Sequence, residues 1–183
     1  MSIEFLRAQL PDYARDLSTN LALLADDATL DKAAHWGCFI ASAHAVGEPL
    51  TLRAVEDAAK AGGASPDAID AARSAAAMMA MTNVYFRALH LMQAPEYKAL
   101  PSRLRMNHGG HADAPPTHYD LWCVAVSAIN GCGACLDSHE AALRRKGVQP
   151  AEVQVALRIA AVVAAVARTL SAEAALRPQN SQV

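Results

Sequence analysis

Signals for the start of a helix recur along the chain and limit it to a helical fold. A proline at the first helical position is indicated at Glu48-Pro49, Ser65-Pro66 and Gln149-Pro150. The segments that follow are rich in alanine, which has the highest helix propensity and supplies 42 of the 183 residues. Aromatic residues make up only 5% of the chain, which disfavours β-sheets. We therefore predict an all-α protein.

The predicted helices fill one compact multi-helix domain, residues 1–176. They lie at residues 3–10, 12–24, 31–45, 49–61, 66–92, 117–130, 132–146 and 150–176. The segment 100–116 contains Gly109-Gly110 and Pro115-Pro116 and is predicted as a long loop. The polar tail, 177–183, is expected to be flexible.

Charge and hydropathy exclude several classes of function. The 16 Lys and Arg residues are matched by 18 Asp and Glu, so the net charge of −2 disfavours binding to nucleic acid. The longest apolar run is 159–167, well short of the roughly 20 residues that span a bilayer. The first residues lack the apolar region of a signal peptide. We expect a cytoplasmic protein without a membrane partner, in which the four cysteines are buried, metal-binding or redox-active.

The two halves of the chain resemble each other, which predicts an internal duplication. The alignment pairs Trp36 with Trp122 and Lys60 with Lys146, and after a two-residue gap it pairs Pro66 with Pro150. Where the second half has Cys132, Cys135 and His139, the first has Val46, Pro49 and Arg53. Only the second half could then carry out thiol chemistry.

The pattern Cys132-Gly-Ala-Cys135 at the start of a predicted helix is the strongest functional signal. Cysteines at this spacing lie within reach of each other, and the first-turn amides and the helix dipole stabilise a thiolate. Such a pair can cycle between dithiol and disulfide. His139 follows Cys135 by four residues and therefore shares its helix face. As an imidazolium it would lower the pKa of Cys135, and as a neutral imidazole it could accept the thiol proton.

Asp120 is a candidate partner for His139. Asn130-Gly131 breaks the helical pattern and could fold the flanking helices into a hairpin. Asp120 lies 11 residues before Gly131 and His139 lies 8 residues after it. In such a hairpin their positions along the helix axes would differ by only about 4 to 5 Å. The sequence thus predicts a relay in the order Asp120, His139, Cys135, Cys132, with room for a water between its first two members. A solvated acid in the first turn of a helix is the alternative for Asp120.

Two other interpretations of the cysteine pair stay open. Both cysteines could be small buried hydrophobic residues, which is how we interpret Cys38 and Cys123. A zinc site would use Cys132, Cys135 and His139, with a fourth ligand drawn from Asp120, His111 or His118. His108 and His111, in the sequence HGGH of the predicted loop, are interpreted as solvated.

The segment WCVAVSAINGCGACLDSHE, residues 122–140, resembles the alkyl hydroperoxidase D (AhpD) family of the carboxymuconolactone decarboxylase-like superfamily. Residues 1–21 and 81–92 resemble other stretches of the same family, so the similarity covers nearly the whole chain. It implies an all-helical subunit that assembles as a homotrimer and acts as an antioxidant, lipoyl-dependent peroxidase. Members reduce hydroperoxides and the partner peroxiredoxin AhpC. Their electrons come from dihydrolipoamide on a lipoylated acyltransferase, which lipoamide dehydrogenase keeps reduced, and no bound cofactor or metal is implied.

The resemblance also implies a role for each residue of the motif. Cys135 would form the sulfenic acid or the mixed disulfide with AhpC, and Cys132 would be the proton donor and resolving thiol. His139 would be the relay imidazole and Asp120 the relay acid. The family's relay acid is typically Glu, one methylene longer than Asp120, and some members have His where this chain has Ala134. Disulfide exchange needs only an activated, accessible thiol, so we expect these differences to affect it less than they affect fast peroxide turnover.

Two alternative functions follow from the same residues. One is decarboxylase or isomerase chemistry on a lactone acid, as in other members of the superfamily, which has little use for paired thiols. The other is a binding module stabilised by zinc at Cys132, Cys135 and His139.

Overall fold

The computed structural model describes residues 1–106 and 114–177, and most of these residues lie in helices. No strand occurs among these residues, which confirms the predicted all-α class. The helices are α1 Ile3–Ala8, α2 Arg15–Ala25, α3 Lys32–Val46, α4 Pro49–Ala61, α5 Pro66–Leu91, α6 Glu96–Ala99, α7 Pro116–Asn130, α8 Gly133–Arg145 and α9 Pro150–Leu176. A 3-10 turn, Asp12–Ala14, precedes α2.

The helix bounds agree with the sequence prediction to within three residues; the largest difference is at the start of α2, where residues 12–14 form a 3-10 turn. The one-turn helix α6 is an additional element that the sequence does not predict. Proline begins α4, α5 and α9 as expected, and Pro116 also begins α7. Residues 107–113, which include His108 and His111, lie outside the described residues. So do residues 178–183 of the predicted tail.

Side-chain caps explain why several helices start where they do. The Asp31 carboxylate accepts hydrogen bonds from two amides of the first turn of α3, at 2.9 and 3.0 Å. Glu48 accepts two from the first turn of α4, at 2.9 and 2.7 Å, and the Ser65 hydroxyl accepts one from the amide of Ala68 in α5 at 3.1 Å. Each of these bonds satisfies an amide that has no partner within its helix.

Helices α3 and α7 pack against each other at the centre of the bundle, flanked by α5 and α9. Trp122 of α7 is fully buried, and its indole N–H donates a hydrogen bond to the carbonyl oxygen of Ala34 in α3 at 3.0 Å. A Cβ atom at Gly37 would lie 2.1 Å from the Trp122 ring, so glycine is required for this close approach. Cys38 and Cys123 are buried in the same core, as predicted.

The two halves of the chain repeat the same three-helix unit, but in a different register from the one predicted. Helices α3, α4 and α5 have 15, 13 and 26 residues, and α7, α8 and α9 have 15, 13 and 27. Each helix starts 84 residues after its counterpart, and left-handed Gly47 corresponds to left-handed Gly131. Pro66 thus pairs with Pro150 without a gap, whereas the pairing of Trp36 with Trp122 is wrong by two residues. That pairing matched large aromatic rings, while the helix breaks set the register.

Helix α9 is long and apolar enough to cross a membrane, judged by length and composition alone. The most apolar 18-residue window has a mean hydropathy of 1.7, and half of it is buried inside the bundle. It packs against α2, α3, α4 and α7, so a place in the core accounts for its apolar character.

Candidate active site

A tight turn between α7 and α8 places the two cysteines. Gly131 adopts a left-handed conformation with φ 67°, which glycine reaches at little cost, and ends α7. The amide of Cys132 then donates a hydrogen bond to the carbonyl oxygen of Ser127 at 3.0 Å. Helix α8 begins at the next residue and packs back against α7. The predicted helical hairpin is therefore confirmed.

Cys132 and Cys135 form a disulfide at the start of α8, with their Cα atoms 5.3 Å apart. Cys132 is the N-cap residue, and its sulfur accepts a hydrogen bond from the amide of Cys135 at 3.3 Å. Cys132 is completely buried and Cys135 is 6% exposed. The first half of the chain has Glu48 and Thr51 at the corresponding positions, where the carboxylate and not a sulfur caps the helix. Only the second half therefore carries a thiol pair.

His139 lies one helical turn beyond Cys135 and contacts Asp120 directly. Its Nδ1 is 2.9 Å from Oδ1 of Asp120, and both side chains are largely buried, at 15% and 13% exposure. The contact is direct, so no water is needed between the two side chains. The hairpin brings α7 close enough for the shorter aspartate side chain to reach the imidazole. A carboxylate at Nδ1 holds the proton there and leaves Nε2 as the nitrogen that can accept another.

Lys146, just beyond α8, completes a three-residue cluster that the sequence analysis missed. Its Nζ is 2.5 Å from the other carboxylate oxygen of Asp120. Burial raises the pKa of Asp120, but the hydrogen bonds and charges of His139 and Lys146 outweigh it and leave that pKa below its ordinary value. The spacing in the sequence was the signal that could have indicated this contact. Lys146 follows His139 by seven residues, or two helical turns, which places it on the same face.

A cavity of about 370 Å³ opens next to the disulfide. Cys135 and His139 line it from α8, together with their sequence neighbours Ala134 and Ser138. The opposite wall is formed mainly by α5, whose contributing side chains are Met79, Thr82 and Phe86, and Met106 adds to it. The cavity thus gives a small, largely apolar molecule access to the sulfur of Cys135 and the imidazole of His139 together.

Buried amide and hydroxyl groups beneath the cavity fix the end of α7. The Nδ2 of Asn83, on α5, donates to the hydroxyl of Ser127 at 3.0 Å, and Asn130 donates to the Oδ1 of Asn83 at 3.0 Å. Arg87 also donates to the carbonyl oxygen of Asn130. Asn83 and Ser127 are fully buried. Sequence reasoning did not find Asn83, because its partners are more than 40 residues away.

The described residues do not assemble the zinc site that the sequence left open as an alternative. Within residues 1–106 and 114–177, no three His, Cys, Asp or Glu side chains are grouped so that they could hold a metal ion. The sulfurs of Cys132 and Cys135 are bonded to each other. His118 instead pairs with Asp31 at the start of α3, at 2.8 Å, and His111 lies outside the described residues.

Comparison with known proteins identifies the family. Residues 95–178 match the carboxymuconolactone decarboxylase family. The chain is 69% identical to alkyl hydroperoxide reductase AhpD of Caulobacter vibrioides, with both chains covered completely. It is 51% identical to the AhpD of Hyphomonas neptunium over 96% of this chain and 97% of the relative. For the AhpD of Streptomyces avermitilis the identity is 48%, over 96% and 99%. This chain therefore belongs to the AhpD family within the carboxymuconolactone decarboxylase superfamily.

Proposed function

We propose that the protein is an antioxidant thiol oxidoreductase that reduces hydroperoxides, the disulfide of a partner AhpC, or both, through Cys132 and Cys135. The observation that carries the proposal is the cavity onto which both Cys135 and His139 open, with Cys132 bonded behind Cys135. The relatives' name, alkyl hydroperoxide reductase AhpD, supports an oxidoreductase of this type.

In the first step, the Cys135 thiolate attacks the terminal oxygen of a hydroperoxide. The O–O bond breaks, the sulfur is oxidised to a sulfenic acid, and the leaving alkoxide takes up a proton to become an alcohol. Cys135 is the attacking sulfur in this scheme because it lines the cavity, whereas Cys132 is fully buried. Its position in the first turn of α8 favours the thiolate, since the helix dipole and free amides stabilise negative charge there.

In the second step, the thiol of Cys132 attacks the sulfenic sulfur and releases water, which closes the intramolecular disulfide. The two residues are joined in this way in the structure, so no large rearrangement is required of the backbone. A dithiol such as dihydrolipoamide then reopens the disulfide by two exchanges and leaves as lipoamide. Reduction of AhpC would follow the same chemistry, through a mixed disulfide at Cys135.

His139 acts as the proton carrier of this cycle. With its Nδ1 proton held by Asp120, its Nε2 accepts the proton of the Cys135 thiol and later returns a proton to a leaving oxygen or sulfur. Asp120 orients the ring and balances the positive charge that develops on it. Both roles need a buried, directly bonded pair, which is the observed arrangement.

The wider setting of the reaction is also a proposal. We infer a cytoplasmic homotrimer that uses no bound cofactor and draws its electrons from a lipoylated acyltransferase and lipoamide dehydrogenase. These inferences rest on the resemblance of the motif at residues 122–140 to the AhpD family.

The direct test is consumption of a hydroperoxide with dihydrolipoamide as the electron donor. Cys135→Ser is expected to abolish turnover, because serine cannot form a sulfenic acid. Cys123→Ala is the matched control, since it removes a buried cysteine that lies outside the cavity, and it should retain turnover. Full activity of Cys135→Ser, or equal loss in both variants, would contradict the proposal.

A further inference from the structure

The carboxylate of Asp120 is held from two sides, and only one of them belongs to the relay. Oδ1 faces His139 at 2.9 Å, and Oδ2 faces the ammonium of Lys146 at 2.5 Å. The same ammonium reaches the carbonyl oxygen of Pro116 at 3.4 Å, one turn before Asp120 on α7. Lys146 therefore ties the end of α8 to the first turn of α7 through the group that orients the imidazole.

The surroundings of Asp120 make this contact more than an ordinary surface ion pair. The Asp120 side chain is only 13% exposed, whereas Lys146 is 37% exposed and supplies its charge from the solvent side. Burial alone would favour the neutral acid, and an uncharged acid could not balance a proton on His139. The lysine therefore opposes the effect of burial on the acid.

The neighbouring titratable groups do not supply the same charge. Burial raises the pKa of Tyr119 to about 12 and also raises that of Cys123, so both stay neutral beside Asp120 on α7. His118, two residues before Asp120, pairs with Asp31 of α3. From α5 the cavity is faced by Met79, Thr82 and Phe86, none of which carries a charge.

We propose that Lys146 is a positioning residue of the thiol site, which holds the Asp120 carboxylate ionised against His139 and so lets the Cys135 proton leave at lower pH. This inference rests on the proposed function. The proton passes from the sulfur of Cys135 to Nε2 of His139, and the charges of Asp120 and Lys146 are unchanged by the transfer. Without Lys146, less charge opposes the effect of burial on Asp120. A carboxylate that is harder to keep ionised balances the positive charge on His139 less well, so the imidazole accepts the thiol proton only at higher pH.

The test is the rate at which iodoacetamide alkylates Cys135 in the reduced protein, measured from pH 5 to pH 9 with peptide mapping. In Lys146→Met the rising limb of the profile should move to higher pH by about half a unit to one unit, the size expected of one partly exposed charge. Lys146→Arg keeps the charge and should retain the profile of the parent protein. Lys146→Gln is a second neutral variant. It should show the same shift to higher pH, and it takes the place of Lys146→Met in the test if Lys146→Met does not fold.

Lys60→Met is the matched control. Lys60 lies in the last turn of α4, the counterpart of α8, and pairs with Glu56 at 3.9 Å, so its loss changes the net charge equally. Its profile should stay in place. The inference is overturned if the neutral Lys146 variants superimpose on the parent protein or move to lower pH, or if Lys60→Met shifts as far. Alkylation needs neither hydroperoxide nor dihydrolipoamide, so failure of the proposed function would appear separately, in the Cys135→Ser assay.

Discussion

Asp120→Asn should impair the thiol chemistry far more than it destabilises the fold. Asparagine has nearly the same shape, but it offers one oxygen where Asp120 offers two to His139 and Lys146. Whichever partner the amide oxygen takes, the amide NH₂ faces either an ammonium, which cannot accept a hydrogen bond, or Nδ1 of His139. In the second case the ring must carry its proton on Nε2 and can no longer accept one there.

The size of each effect follows from these contacts. The buried bond to His139 is a charge-assisted hydrogen bond, of a kind worth about 1.5 to 3 kcal/mol. The bond to Lys146 adds at most about 1 kcal/mol, because the lysine is more than a third exposed. We therefore expect a loss of about 2 kcal/mol in the free energy of unfolding. Loss of a general base lowers the rate by roughly 10²-fold to 10⁴-fold, so the rate of thiol oxidation should fall by at least 10²-fold.

The pH dependence of this stability loss has a definite sign. The pKa of Asp120 in the folded protein is below its ordinary value of 3.8. Its stabilising contribution is thus fully present above pH 3.8 and is lost as the pH falls through the lowered folded value. The difference in stability between Asp120→Asn and the parent protein should be constant near neutrality and should narrow below about pH 4.

The assay mixes reduced protein with one equivalent of hydroperoxide and counts the remaining thiols over time, alongside urea unfolding. Asp31→Asn is the matched control. It removes the charge from another Asp–His pair, with His118, while asparagine can still cap α3. A rate for Asp120→Asn within about threefold of the parent protein would refute the reasoning, because a general base contributes at least about 10²-fold.

Three further predictions concern the rest of the bundle. Glu56→Gln should lower the free energy of unfolding by about 1 to 2 kcal/mol at pH 7, because a hydrogen bond from the partly exposed Arg73 lowers the pKa of Glu56 to about 2. When stability is measured as a function of pH, this loss should shrink as the pH falls from 4.5 towards 2. Gly37→Ala should lose about 1 to 3 kcal/mol on urea unfolding, because the clash with Trp122 exceeds the roughly 1 kcal/mol gained in helix propensity; a stabilised variant would contradict this. Cys38 and Cys123 should resist alkylation in the native reduced protein and react only after unfolding, because burial raises the pKa of both thiols.

Local patterns were sufficient to predict the helices and the arrangement of the thiol site. Proline at helix starts, glycine at breaks and alanine between them act within a few residues, so the bounds of α4 and α9 could be predicted to the residue. The contact between Asp120 and His139 could also be predicted, because the position of each residue along its helix is given by its distance in sequence from the turn at Gly131. A helical hairpin converts that count directly into a distance.

Contacts that depend on how the helices pack could not be predicted from the sequence in this way. Lys146 joins the site through the crossing of α7 and α8, and its position after the end of a helix does not by itself distinguish it from a solvated lysine. Asn83 meets Ser127 and Asn130 only because α5 packs against α7. The register of the duplication was misjudged because Trp36 and Trp122 look equivalent in sequence. They occupy different places, since Trp122 packs on Gly37 and Trp36 on Gly62.

The most direct test of the central claim is intact-mass spectrometry with thiol alkylation of the reduced protein, before and after one equivalent of hydroperoxide and again after dihydrolipoamide. We predict that hydroperoxide removes two alkylatable thiols, that peptide mapping assigns them to Cys132 and Cys135, and that dihydrolipoamide restores both. Alkylation is done after unfolding so that Cys38 and Cys123 report as internal controls that stay reduced throughout. If Cys132 and Cys135 remain fully alkylatable after hydroperoxide, or if dihydrolipoamide fails to restore them, the dithiol cycle proposed for this protein is contradicted.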